Sequence, residues 1–458
     1  LALGAAGITF TADENVAIAQ AGAATVTAQN GTINLTGTDS ILLGTGGNAG
    51  RIVTTGTGLI DLNAATAFTM GAAADTIVKS GGAIDIDPET VTIAGAGLLA
   101  DGAITVDATD LIDVNARVRS ETSTVALTVT DSDNDDTANL QIGADIIGTT
   151  ATLTAADGDS ASEQITVEAV GTDNLLGSTV FEANDGTLDI NGAVTAADNI
   201  TLNGSGAIQV SADLTADDSV TAADLMTVDG DITVTGLNGD VTFAALNDTN
   251  GTNSLTVVAG DVVTFGGQVA DAAGTRFNAL TVTAGTLIDV NAGIGDAAGA
   301  YDGAETVVFN GATDLGANIT VDDELTVNGG LTVSGADRVL RATAADASVN
   351  LNGDVITGSG GVRGLTVEAR AAGGTVNLTD AGQTGADLGS LVVDSDDATL
   401  NGDITVDGAV TFRDTDQDVN AVTLIGHRSI TSDYVPAADD TDIDFSDATL
   451  NGTYDLSL

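Results

Sequence analysis

The sequence contains no cysteine and no tryptophan, only two prolines among 458 residues, and only 3% aromatic residues. Without cysteine, neither disulfides nor thiolate metal sites contribute to the fold. Without large rings, a core built from Ala, Val, Leu and Ile must be thin, layered and repetitive. Hydrophobic residues still make up 43% of the chain, which separates it from disordered acidic segments. We therefore expect the chain to be folded.

Basic residues are also scarce. There are 11 Lys plus Arg, with Lys79 as the sole lysine, against 66 acidic residues, and the net charge is −55. Such a field repels phosphates and anionic lipid head groups, so we expect no nucleic-acid partner. Of the acids, 57 are Asp and 9 are Glu, and short carboxylates suit turns and Ca²⁺ ligation. Adaptation to a saline or Ca²⁺-rich medium and specific ion sites both agree with this composition.

Long apolar runs are absent as well. No stretch reaches 18 apolar residues, so we expect no membrane insertion. The start, Leu-Ala-Leu-Gly, lacks both a Met and the basic flank of a signal peptide, and we expect a processed or truncated N-terminus.

Short runs of alternating apolar and polar residues predict β-strands along the whole chain. Between them lie Asn-Gly, Asp-Gly and Gly-Gly pairs, which supply the positive φ angles of tight turns. No capped segment with helical periodicity occurs. The clearest predicted strands are residues 104–106, 232–234, 241–243 and 325–327.

Short sequence words recur at regular distances, which is typical of repeat proteins. Leu-Ile-Asp-(Leu/Val)-Asn-Ala and its relative Thr-Leu-Asp-Ile-Asn-Gly place their Asp residues 52, 76 and 100 residues apart. Four copies of Leu-Asn-Gly recur at distances of 149, 49 and 50, and a further copy at Leu237 falls outside this register. These distances predict a unit of about 25 residues with tolerated insertions. The aligned residues are Asp61, Asp113, Asp189 and Asp289 for the first word and Leu202, Leu351, Leu400 and Leu450 for the second.

Three short strands fit into one unit, as in residues 226–243. This predicts an all-β fold, a right-handed parallel β-solenoid with three faces, in which roughly 18 coils of about 25 residues stack on one another. The alternative is a string of tandem β-sandwich domains, because two long matching words lie 99 residues apart. The shorter repeat distances and the lack of Trp disfavour it.

The predicted domain organisation has solenoid coils at residues 1–124 and 188–458. Between them, residues 125–187 match the repeated sequence motifs less well and contain longer strand candidates, at 125–129 and 164–170. We interpret this segment as the place for an inserted or irregular β subdomain.

The Gly-, Ala-, Thr- and Asp-rich lines, typified by Thr-Leu-Asn-Gly-Asp-Ile-Thr-Val at 399–406, resemble the β-strand-repeat exoproteins of bacteria. These include filamentous-haemagglutinin-like adhesins and β-solenoid surface-layer proteins. The resemblance covers most of the chain and rests on amino-acid composition and on the regular spacing of strands and turns. It implies an extracellular, cell-surface location and a role in a filament or layer, often dependent on Ca²⁺.

Two clusters place Asp at every second position, a spacing that lets one loop wrap a hard cation. Neither has the glycine or the distal Glu of a complete EF-hand, so a Ca²⁺ site and a solvated loop both remain open. A third cluster continues into a strand pattern and is a weaker candidate. The predicted ligands are Asp131, Asp133 and Asp135 in the first cluster and Asp414, Asp416 and Asp418 in the second, and the third contains Asp440, Asp442 and Asp444.

Residues suited to catalysis are few. His427 is the only histidine, and we interpret it as a polar loop residue. Lys79, Arg117 and Arg119 stand beside no evident acid cluster, and the evenly spread Asp residues single out no catalytic pair. We therefore predict no enzymatic activity; a glycan-active solenoid enzyme is the least favoured alternative because it needs clustered carboxylates in a groove.

Together these features predict an extracellular structural protein that assembles with itself as a surface-layer, sheath or filament subunit stabilised by Ca²⁺. The alternative is a rod-like adhesin at the cell surface, with cell-surface glycans as partners. The two hypotheses differ in self-association.

Overall fold

The computed structural model describes residues 2–3, 7–19, 24–131, 139–157, 164–168, 177–184, 186–270, 275–295, 303–357, 363–382, 388–415, 420–432, 443–445 and 448–458. In these ranges every regular element is a β-strand, and the strands stack in parallel as a β-solenoid. The same ranges contain no helix of the length and apolarity that a membrane span requires. The chain divides into two compact units, Leu1–Met226 and Thr227–Leu458, called the N-terminal and C-terminal units below.

In the N-terminal unit, successive strands occupy three faces in turn, and each strand pairs with the strand one turn later. The first face contains Ala2–Leu3, Ala24–Gln29, Gly50–Thr55, Ile77–Ser80, Gly97–Ala100, Val118–Ser120 and Ile146–Ile147, and later the pair Val194–Ala196 and Leu214–Ala216. The second face contains Ile8–Ala12, Ile33–Gly37, Ile60–Ala64, Ile84–Asp87, Ile104–Ala108, Val125–Asp131, Thr150–Asp157, Ser178–Asn184, Ile200–Gly204 and Val220–Val228. The third face contains Val16–Ile18, Ser40–Leu43, Ala67–Met70, Thr90–Ile93, Leu111–Val114, Asn139–Ile142, Gln164–Val167, Thr187–Ile190 and Ala207–Val210.

The C-terminal unit also has three faces. Its first face contains Ile232–Gly236, Ser254–Ala259, Phe277–Ala284, Ala304–Asn310, Glu324–Val327, Ser348–Leu351, Thr375–Leu378, Asp397–Leu400, Asn420–Leu424 and Ala448–Asn451. The second face contains Val241–Asp248, Val262–Phe265, Leu287–Val290, Thr313–Leu315, Leu331–Val333, Val355–Thr357, Ile404–Val406, Arg428–Ser432 and Leu456–Ser457. The third face contains Ile319–Val321, Arg338–Ala342, Gly364–Ala369, Ser390–Ser395, Val410–Arg413 and Ile443–Asp444.

The core consists of ladders of one residue per turn. On the second face of the N-terminal unit, Ile33, Ile60, Ile84, Ile104 and Val125 stack in register, and each is at most 1% exposed. Because side chains alternate across a strand, the residues next to each ladder residue in the same strand point outward. Burying one such side chain stabilises the fold by about 1.5–3 kcal/mol. The alternating pattern therefore makes every added turn extend the core.

Glycine is required where the turns stack at a corner. A Cβ on Gly58 would lie 2.4 Å from the carbonyl oxygen of Gly31 in the preceding turn, and one on Gly82 would lie 2.8 Å from that of Gly58. Buried hydroxyls complete this corner: Thr54 and Ser80 donate to the Gly58 carbonyl at 2.9 and 2.7 Å. The corner thus satisfies a buried carbonyl while keeping the coils close.

The prediction of a parallel β-solenoid is confirmed, and the alternative of tandem β-sandwiches, whose sheets are antiparallel, is wrong. The solenoid has about 16 turns of about 24 residues, against the expected 18 of 25. The unit length varies, since Thr187 pairs with Ala207 after 20 residues whereas Val118 pairs with Ile146 after 28. The described strands within 125–187 lie on the same three faces as their neighbours.

Candidate functional site

Outward-facing side chains form ladders because equivalent positions of successive turns lie in register. On the second face of the N-terminal unit, Asp85 lies directly opposite Asp61 on the neighbouring strand. Asp87 and Asp107 follow the paired residues Ile86 and Val106 and form a second line, two residues farther along the same strands, in which Asp87 lies opposite Asn63. We call Asp61, Asp85, Asp87 and Asp107 the aspartate ladder.

Carboxylates in the aspartate ladder oppose one another's ionisation. The pKa of Asp85 is raised above its ordinary value by partial burial, then by the charges of Asp61 and Asp107. The pKa of Asp87 is raised by burial, then by Asp85, Asp107 and Asp61. Asn34 relieves one end of the ladder by donating from its Nδ2 to Asp61 Oδ2 at 3.2 Å. A bound cation or a basic partner would relieve the remainder.

An open groove of about 430 Å³ runs beside the aspartate ladder. Its walls are lined by Asp87, Glu89, Asp107 and Thr130 together with Pro88 and alanines. Oxygen atoms of this kind suit hard cations. In the described ranges, however, no group of three or more His, Asp or Glu side chains is placed to hold a metal ion. The ladder therefore concentrates negative charge on this part of the second face.

The first face of the N-terminal unit has the opposite character. Arg51, Lys79, Arg117 and Arg119 are the only basic residues among residues 1–226, and all four lie on or beside the strands of this face. We call them the basic stripe. Lys79 stands in register between Val53 and Leu99, and Arg119 lies between Leu99 and Ile147.

Three members of the basic stripe have acidic partners. Arg51 lies 2.8 Å from Asp75, Arg117 lies 3.3 Å from Asp145 and Arg119 lies 2.8 Å from Glu121. All three are partly exposed pairs, each worth about 0–1 kcal/mol. The sequence predicts no acid cluster beside Arg117 and Arg119, and each has a single acidic partner in these pairs. Glu121 follows Arg119 by two residues, a spacing that puts both side chains on the same side of a strand.

A second polar ladder occurs on the third face of the C-terminal unit. Arg341, Glu368, Asp394 and Arg413 are cross-strand neighbours in this order, and we call them the charge ladder. Glu368 accepts a hydrogen bond from Arg341 Nε at 2.6 Å and another from Arg370. The side chains of Glu368 and Asp394 are 4% and 0% exposed, although their register places them on the outer side. The arginines cover them.

Asp394 is the most enclosed carboxylate of the charge ladder. Arg413 Nε donates to its Oδ2 at 2.9 Å, and the Thr415 hydroxyl donates at 2.7 Å to its Oδ1. The Nε of Arg370 lies 3.0 Å from Oδ2, an ion-pair distance without hydrogen-bond alignment. Because buried carboxylates need such partners, this cluster is best explained as a structural lock between neighbouring turns.

Amide side chains line a groove on the first face of the C-terminal unit. Asn377 Nδ2 donates to Asn350 Oδ1 at 2.6 Å, and Asn352 Nδ2 donates to Asn328 Oδ1 at 2.9 Å. The groove beside them, the amide groove, carries neutral donors and acceptors that suit hydroxyl groups of a ligand. It is lined by Leu351, Asn352, Asn377, Leu378, Thr379, Thr399, Asn401 and Ile425.

The structure describes only part of the predicted Ca²⁺ ligands. Asp131 ends the strand Val125–Asp131, with its backbone in register with Asp157. Asp414 follows the strand Val410–Arg413 and is 8% exposed. Asp444 lies in the strand Ile443–Asp444. The side chain of Asp131 and residues Asp133, Asp135, Asp416, Asp418, Asp440 and Asp442 lie outside the described residues, so these sites stay predictions.

His427 precedes the strand Arg428–Ser432, and its side chain is 73% exposed. Its Nδ1 accepts a hydrogen bond from the backbone N–H of Asp455 at 3.2 Å, and its ring meets Tyr454 edge-on at 5.7 Å. This agrees with a polar residue on the surface. Sequence reasoning did not find the charge ladder or the aspartate ladder, although Asp61 belongs to a repeated word.

Comparison of the chain with protein-family models, with curated proteins and with solved structures finds no match.

Proposed function

We propose that this chain is a non-enzymatic structural protein of the cell surface that assembles with copies of itself as a surface-layer, sheath or filament subunit. The observation that carries the proposal is the uneven distribution of charge between the sheet faces of one unit: the second face carries carboxylates and no basic residue, whereas all four basic residues lie on or beside the first, three of them ion-paired and all among aliphatic side chains. Parallel strands repeat at about 4.8 Å, so two copies present matching spacings to each other. Many weak contacts then add along a face.

Ca²⁺ is the proposed counter-ion. A net charge of −55 on one chain opposes close approach of copies, and a divalent ion shared between carboxylates reduces that cost. The raised pKa values of Asp85 and Asp87 support this, because carboxylates already crowd one another there. The aspartate clusters beginning at Asp131 and Asp414 are the proposed specific sites.

Electron microscopy of the purified protein, with Ca²⁺ and with excess chelator, tests the proposal. Ordered layers or fibres that form with Ca²⁺ and disperse with chelator are the expected result. Isolated particles under every condition, confirmed as monomers by light scattering, would contradict a structural subunit.

The second candidate is a rod-like adhesin, and the amide groove favours it. Amide and hydroxyl groups at Asn377, Thr399 and Asn401 offer the hydrogen-bonding pattern that sugar hydroxyls need. Screening monomeric protein on an immobilised glycan array tests this role. Binding that Asn377→Ala and Asn401→Ala abolish, together with a lack of self-association, would favour the adhesin.

A further inference from the structure

The four basic residues of the N-terminal unit are unevenly placed. A chain with 66 acidic residues has only four positive side chains among its first 226 residues, and all of them belong to one face. The other two faces of this unit carry none. Within a strongly acidic molecule, such a concentration makes this face the one least repelled by an acidic surface.

The basic stripe is interleaved with aliphatic side chains that point outward. Val53, Ile77 and Leu99 are partly exposed, and the exposed Lys79 has Val53 and Leu99 as its cross-strand neighbours. No ion pair of Lys79 occurs among the described residues. Mixed aliphatic and basic composition on a flat sheet is typical of contact surfaces, since the aliphatic groups gain from exclusion of water and the charges select the partner.

The aspartate ladder lies on the second face of the same turns. The strand Gly50–Thr55, which carries Arg51, leads into Ile60–Ala64, which carries Asp61. The strand Ile77–Ser80 with Lys79 leads into Ile84–Asp87 with Asp85 and Asp87. Both stripes therefore rise along the stack with the same interval of about 4.8 Å per strand. Two copies placed side by side and parallel, without axial shift, bring the stripes to the same height.

We propose that the basic stripe of one copy binds the aspartate ladder of a second copy. The inference rests on the proposed self-assembly and names its lateral contact. The contact joins two different surfaces, so a pair of copies keeps one free aspartate ladder and one free basic stripe, and the arrangement propagates until it closes as a ring or continues as a filament. The charge of the remaining surface does not prevent this at physiological ionic strength, where the screening length is about 8 Å.

Charge exchange tests the contact. Lys79→Glu places an acid opposite the ladder of the next copy, and Asp85→Lys places a base opposite the stripe. Each variant alone should raise the dissociation constant of self-association about tenfold or more, because like charges then meet at the contact. An equimolar mixture of the two variants should restore association, since each supplies the complement that the other lacks. Restoration also shows that both variants are folded.

A matched control changes the net charge equally on another face. Thr69→Glu with Thr166→Glu adds two negative charges to outward positions of the third face, as many as Lys79→Glu adds to the first. This control should associate like the wild-type protein. Sedimentation velocity at 0.15 M salt, with and without chelator, gives the readout.

The outcomes separate the two proposals. A wild-type protein that stays monomeric with and without Ca²⁺ overturns self-assembly and this contact with it. A wild-type protein that assembles, with Lys79→Glu and Asp85→Lys assembling equally well, overturns the contact alone. Association that chelator abolishes and that is insensitive to Lys79→Glu assigns the aspartate ladder to cation bridging and also overturns the contact.

Discussion

Asp85 lies directly opposite Asp61 on adjacent parallel strands, and both carboxylates are on the outer surface of the second face. Like charges in this position destabilise a sheet by roughly 0.2–1 kcal/mol. We expect Asp85→Asn to raise the free energy of unfolding by that amount at neutral pH, as measured by denaturant unfolding of monomeric protein. Asp113→Asn is the control, since Asp113 has Thr92 and Gln141 as its cross-strand neighbours. An equal gain in the control would contradict the repulsion.

The pH dependence of this gain has a defined sign. Burial and the neighbouring carboxylates raise the pKa of Asp85 and Asp87 in the folded state above the unfolded value of 3.8. Their contribution to stability is therefore fully present below pH 3.8 and is lost as the pH rises through the raised values. The stability advantage of Asp85→Asn over the wild-type protein should grow from about pH 4 toward neutrality. A constant difference in stability across this pH range would contradict the raised pKa of Asp85.

The buried carboxylate of Asp394 predicts a large cost on substitution. Asp394→Asn keeps the side-chain size but removes the charge that pairs with Arg413 and Arg370. We expect a loss of about 2 kcal/mol, moderated because both arginines are partly exposed and regain water. Asp397→Asn, at an exposed position three residues away, should stay within about 0.5 kcal/mol of the wild-type protein. Equal effects of the two substitutions in chemical denaturation would refute a structural role for the charge ladder.

The fold could be predicted because the repeat length and the alternation of apolar and polar residues can both be read directly from the sequence. The Leu-Asn-Gly words at Leu351, Leu400 and Leu450 lie on the same face, two turns apart in each case. The words around Asp61 and Asp113 do not, since these residues lie on the second and third faces. All three faces share the same alternating pattern, so a matching word identifies a strand and leaves its face open.

The ladders could not be predicted because their spacing in sequence is irregular. Arg341 and Glu368 are separated by 27 residues, Glu368 and Asp394 by 26, and Asp394 and Arg413 by 19. Turn length changes with each connection while the strand register remains, so no fixed period brings these four residues together. Pairing of strands must be known before the charges can be aligned.

Close stacking at the corner of the N-terminal unit predicts a strict need for glycine. A Cβ at residue 58 would come within 2.4 Å of a backbone oxygen of the preceding turn. Gly58→Ala should therefore cost about 1–3 kcal/mol through forced displacement of the coil. Gly266→Ala is the matched control, because its Cβ would meet the carbonyl oxygen of Phe243 at an ordinary 3.4 Å. Thermal unfolding that ranks Gly266→Ala as the more damaging change would contradict the stacking argument.

Calcium removal should lower the stability of the whole chain if folding brings carboxylates together around the ion. A ligand that binds only the folded state adds about 2.7 kcal/mol when present at 100 times its dissociation constant. We expect excess chelator to lower the melting temperature, and Na⁺ at equal ionic strength to restore only the part due to screening. Replacing Asp133 and Asp135, or Asp416 and Asp418, with Asn should remove part of the Ca²⁺-specific increment, whereas Asp113→Asn should leave it intact. A melting temperature that chelator does not change at moderate salt would reject the proposed role of Ca²⁺, because the carboxylates would then tolerate one another without a divalent counter-charge.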